Sequence, residues 1–88
     1  MRKGKTESGF EYEIDEEILD DYELLEMLCQ IDEGEIAPIF KMVNRLLGKE
    51  QKEKLMEHIR DQTGRVSVTK MLSEIMGIIN AIKEGKNS

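Results

Sequence analysis

Apolar positions recur at helical spacing along most of this chain, and most densely near its C-terminal end. In the stretch VSVTKMLSEIMGIINAIK, Val66 to Lys83, the residues Val68, Met71, Ile75, Ile78 and Ile82 fall three and four apart, the repeat that gathers side chains on one helix face. Leu72, Met76 and Ile79 make a second row beside the first. Together the rows exceed the roughly 100° stripe that a helix needs to dock on a core. Thr69, Lys70, Ser73, Glu74, Asn80 and Lys83 are left for water. A helix so patterned has enough apolar surface for a core and a surplus for a partner.

Three more helices are predicted upstream. The first begins at Asp20, with Glu23 three residues on as a capping box and Leu19 placed to staple to Leu24. Tyr22, Leu24, Leu25, Leu28 and Ile31 form its buried face, and Gly34 ends it. The second runs from Ile36 to Leu47 with Pro38 in its first turn, burying Ile36, Ile39, Phe40, Val43, Leu46 and Leu47, and stops at Gly48. The third, Lys49 to Gln62, is the most polar; Leu55, Met56 and Ile59 are its apolar face. Gly64 closes it, and Ser67 caps the last helix. Ahead of all four, Phe10, Tyr12 and Ile14 alternate with Glu11 and Glu13, the period of a short strand. No second strand is in view, so this one either pairs with another copy or lies across the helices as an arm. The expected architecture is mainly α: a small four-helix domain over residues 10–84 with a short extended N-terminal strand or arm, a disordered segment 1–9 and a frayed end 85–88.

Composition narrows the picture. The chain has 88 residues, a single small domain of a size for which oligomerisation is a common source of stability. There is no Trp, and the core must come from Leu, Ile and Met, with six methionines that suit an adaptable contact surface. Cys29 is the one cysteine, which excludes an internal disulfide; in the run LLEMLCQI it reads as a small hydrophobe. The basic start has no apolar segment behind it and no run reaches membrane-spanning length, so a cytoplasmic protein is expected.

Charge is unevenly distributed. Residues 10–36 carry twelve acids and no base, whereas residues 37–88 carry ten bases and six acids. An acidic half followed by a basic half can complement itself, within one chain or between copies stacked head to tail.

The residues offer little chemistry. His58 is the only histidine and has no partners at metal-ligand spacing. Aligning Gly34 with the glycine of a calcium loop puts Cys29 at the first ligand and Phe40 at the last, which excludes that loop. Acyl carrier proteins are short, acidic and helical too, but Ser73 follows Leu72 inside a helix and not an Asp at a helix start. No catalytic residue, cofactor or metal is expected, and the acidic half disfavours nucleic acid. An acidic DNA mimic remains a minor reading, and a small acidic oligomeric interaction module a broader one.

The segment LLGKEQKEKLMEHIRDQTGRVSVTKM, Leu46 to Met71, together with the opening FEYEIDEEILDDYELLEML, resembles the small tail assembly chaperones of long-tailed phages and prophages of Gram-positive bacteria. The resemblance covers roughly residues 10–82 and is carried most by LLGKEQ, by HIR with GRV after it, and by DDYELLE. It implies a non-enzymatic protein of the host cytoplasm, absent from the mature virion. Its partner would be the hydrophobic, helical tape measure protein, which such chaperones cover during tail assembly. Self-association is expected, and no nucleic acid, membrane or small-molecule substrate. The candidate protein-binding residues are Met71, Leu72, Ile75, Met76 and Ile79, with Phe40 and Val43 beside them. The alternative, that these residues form the core of a single copy, is open at this point.

Overall fold

The computed structural model describes residues 1–84; the fraying expected at 85–88 lies outside them. The chain runs β1 (Arg2–Lys5), β2 (Glu11–Ile14), a 3-10 turn (Glu16–Asp20), α1 (Tyr22–Asp32), α2 (Ala37–Ile59) and α3 (Val68–Glu84). It is mainly helical, with one small antiparallel sheet.

That sheet corrects two expectations. Residues 1–9 are not a disordered lead: Arg2–Lys5 pair with Glu11–Ile14 in the register Arg2 to Ile14, Lys3 to Glu13, Gly4 to Tyr12 and Lys5 to Glu11. The strand is therefore no lone arm awaiting another copy. Its partner was hidden because RKGK has no apolar alternation, and the position that needs to be small is filled by glycine. A Cβ at Gly4 would overlap the Tyr12 phenol, so the ring lies over the glycine backbone. The link is a tight turn in which the Phe10 carbonyl accepts from Thr6 N, the Thr6 carbonyl accepts from Gly9 N, and Thr6 Oγ1 accepts from Phe10 N. Phe10, Tyr12 and Ile14 point into the core as the alternation requires. Burial pushes the Tyr12 phenol above its ordinary range, with the Arg2 guanidinium acting in the opposite direction.

The first helix starts one residue later than expected. Asp20 closes the 3-10 turn, and Asp21 is the cap, its Oδ1 accepting from Glu23 N at 2.9 Å. Leu24 and Ile31 are buried with Leu28 half-buried, whereas Tyr22, at 75% exposure, and Leu25 face solvent. At about 100° per residue, Leu24, Leu28 and Ile31 share a narrow arc, with Tyr22 nearly opposite and Leu25 well to one side. Cys29 is likewise exposed and not the small core hydrophobe expected.

Between Ala37 and Ile59 the second and third expected helices follow one another with no loop between them. The stop expected at Gly48 is present: Gly48 takes φ 78° and ψ 167°, which is non-helical, so Ala37–Ile59 (α2) is two helical runs that meet there at a kink. That region of backbone space is open essentially to glycine alone. Pro38 occupies the first turn, as its missing N–H requires. The helix ends at Ile59, earlier than expected, because Asp61 recruits the next backbone groups: its Oδ1 accepts from Thr63 N, Thr63 Oγ1 and Arg65 N. These bonds, the Thr63 hydroxyl first, hold the Asp61 carboxyl below its usual range. Ser67 caps α3 through Oγ, which accepts from Lys70 N at 3.2 Å.

One core joins β2, α1, α2 and α3. Phe10, Tyr12 and Ile14 meet Leu24 and Ile31 of α1, Met42, Leu46, Leu47 and Leu55 of α2, and Ile75, Ile78 and Ile79 of α3. Met42, which the expected stripe omitted, has no exposure at all. Charge ties the periphery: Arg45 bridges Asp21 at 2.6 Å and Glu23 at 3.0 Å, and Lys83 binds Asp32 at 3.0 Å. The acidic first half and basic second half thus complement each other within one chain.

Candidate functional site

α3 does not bury its apolar rows evenly. Its middle turns seal Ile75, Ile78 and Ile79, but its first turns are only partly covered: Met71 and Leu72 are half-buried, and Val68 is 71% exposed. Facing them from α2 is Phe40, 65% exposed. Both features follow from local sequence. Pro38 starts α2 at Ala37, and the phase that sends Ile39, Met42, Val43 and Leu46 inward leaves Ile36 and Phe40 outside. The Asp61–Arg65 turn then delivers Val66 and Val68 to the same side.

The result is an apolar groove of about 270 Å³ between α2 and α3. Ile39, Val43 and Ile75 are its buried base; Met56, Val66, Met71 and Leu72 line its sides, with exposed Phe40 and Val68 among the lining residues. Asn44 and half-buried Lys52 are its polar lining residues, and it has no carboxylate. The volume lies just below the range of about 300–1,000 Å³ typical of small-molecule sites. It suits a few side chains of a docking helix better than a whole ligand.

Of the seven residues singled out from sequence, Phe40, Val43, Met71, Leu72 and Ile75 line this groove. Within that set Val43 and Ile75 are core residues that show the groove only their outer edge, at 4% and 5% exposure. Two others fall elsewhere. Ile79 is sealed in the core, and half-buried Met76 faces the hairpin turn, where it lines a cleft with Thr6, Glu7 and Ser8. The most exposed apolar residue of α3 is in its first turn, Val68, while Met71, Leu72, Met76 and Ile82 are half-buried along its length. Met56 and Val68, read from sequence as core-facing, belong to the groove, as do Ile39, Asn44, Lys52 and Val66. Their helical spacing was visible; their meeting depended on the turn between α2 and α3.

Other candidate chemistry is accounted for structurally. His58 Nε2 lies 2.9 Å from Ser8 Oγ, and its ring packs on Phe10 at 5.6 Å between centroids. Among the described residues no group of three or more His, Cys, Asp and Glu side chains could hold a metal ion, and no helix is long and apolar enough to cross a membrane. Comparison with protein-family models, with curated proteins and with solved structures gave no match.

Proposed function

We propose that this chain is a non-enzymatic tail assembly chaperone of a long-tailed phage or prophage, acting in the cytoplasm of the bacterial host and absent from the mature virion. It covers apolar stretches of the helical tape measure protein until the tail tube encloses them. One observation carries the reading: a fold this small leaves Phe40 and Val68 in solvent beside a groove lined by Met56, Met71 and Leu72. Apolar helices dock in such grooves through side chains spaced one turn apart. Methionine walls adapt to varied side chains, which suits a ligand that presents many non-identical segments. Many copies along one long helix bind by avidity, so each contact can be weak and reversible.

Self-association belongs to the proposal. α1 leaves Tyr22, Leu25 and Cys29 exposed at three- and four-residue spacing, a second apolar stripe separate from the groove. The broader alternative, an acidic oligomeric interaction module of another pathway, would use the same two surfaces. The DNA-mimic reading is weakened because Asp21, Glu23 and Asp32 are engaged by Arg45 and Lys83, which interrupts a phosphate-like run of charge. The test is co-expression with a tape measure protein of a long-tailed phage. The wild type should keep that product soluble and Phe40→Asp should not. Equal solubility with and without the chain would defeat the reading.

A further inference from the structure

The groove's charge is opposite in sign to that of the whole chain. The formal net charge is −6, so the long-range field attracts cations. Inside the groove the only charged lining residue is Lys52. Among the described residues no carboxylate lies within ion-pair distance of Lys52, whereas Arg45, Arg60 and Lys83 are each engaged by a carboxylate. Lys70, between Val68 and Met71 on α3, is a second cation on this side, and the Asp61 carboxyl feels its charge. Lys52 is half-buried as a residue where it lines the apolar groove, its stem against apolar surface, and a carboxylate delivered on a docking helix would give its ammonium a partner of opposite charge at the groove's edge.

Resting on the reading of this groove as a helix-docking site, we infer that it selects helices whose apolar pair, one turn apart, is flanked by Asp or Glu, and that Lys52 reads that carboxylate. The groove's volume of about 270 Å³ fits such a pair of large side chains, leaving the flanking position over Lys52 to decide between sequences. The preference runs against net charge, which on its own would draw a basic amphipathic helix to the exposed Tyr22 and Leu25 stripe of acidic α1.

Two fluorescent helical peptides of about 18 residues, long enough to hold helicity in part, separate these cases. They share one Leu and Phe stripe and differ only in Glu or Lys flanks, and each is titrated with the full chain. The Glu-flanked peptide should bind about fivefold tighter at low salt. The gap should close in ~1 M salt, where the Debye length is about 3 Å, and should reverse in Lys52→Glu. Circular dichroism checks that each variant is folded. Equal binding of both peptides, lost in Phe40→Asp, would overturn the charge selection and leave the docking reading standing. Tighter binding of the Lys-flanked peptide, lost in Leu25→Asp, would overturn it in favour of the α1 face. Failure of both peptides to bind would remove the docking reading and this inference together. Self-association of the free chain that Phe40→Asp abolishes would place a second copy in the groove and overturn the choice of occupant.

Discussion

The carboxamide of Gln51 pairs in both directions with the backbone of Glu13. Glu13 N donates to Gln51 Oε1 at 2.7 Å, and Gln51 Nε2 donates to the Glu13 carbonyl at 2.8 Å. The same Nε2 reaches the Leu47 carbonyl at 2.9 Å, beside the Gly48 kink. One side chain thus stands in for a neighbouring strand along β2 and satisfies a helix carbonyl at the break. Gln51→Ala removes these bonds and leaves backbone groups of both elements short of partners. It should lower unfolding free energy by about 2 kcal/mol, near the upper end for a lost hydrogen-bonding group. Urea denaturation followed by circular dichroism measures it, and a change within about 0.5 kcal/mol, the range of ordinary surface substitutions, would mean the clamp is dispensable.

Gly4 and Tyr12 are cross-strand partners in the hairpin, and a Cβ on Gly4 would overlap the phenol ring. Gly4→Ala should therefore destabilise the fold by roughly 1–3 kcal/mol, as overpacking does. Combining it with Tyr12→Val should cost less than the two changes summed, because the shorter side chain vacates the space. Additive costs in that double-mutant cycle would disprove the overlap.

Asp21 caps α1 and binds Arg45, and the Arg45 guanidinium, ahead of the backbone bonds from α1, holds its carboxyl below the usual range. A carboxyl depressed on folding contributes stability at neutral pH that is lost as pH falls through the folded-state value. The melting temperature of Asp21→Asn should thus lie below wild type at pH 7, and the gap should shrink once the pH drops below about 4, the ordinary carboxylate value. A gap constant from neutral pH to about pH 2.5, well below that ordinary value, would show that the charged form is not what the fold uses.

Glu74 Oε1 is buried without a hydrogen-bond partner. Replacing the carboxylate by the similarly shaped Met removes an unsatisfied acceptor, so Glu74→Met should stabilise by about 1 kcal/mol. A loss of stability in thermal melts would mean that the carboxylate has a role on α3 beyond filling space.

Helix existence was readable from the spacing of Leu24, Leu28 and Ile31, of Ile39, Val43 and Leu46, and of Ile75, Ile78 and Ile79, because core burial enforces that period. The first strand was not readable, since Arg2–Lys5 satisfies its backbone against β2 and needs no apolar face. Nor was the division of α3 between core and groove. Ile79 and Leu72 look equivalent in a helical repeat, and only the path of the Asp61–Arg65 turn decides which of them α2 covers. Phe40 shows the same limit: it shares a stripe with Ile39 and Val43, yet the helix phase puts it outside.

The groove itself contains reporters. Met56 and Met71 line it, Met42 is sealed in the core, and Met27 and Met76 lie outside it. Methyl-labelled methionine spectra recorded while a tape measure helix is added should show the Met56 and Met71 resonances moving together, with Met27, Met42 and Met76 nearly still. Movement confined to Met27 or Met76, or no movement at saturating helix, would contradict docking in the groove.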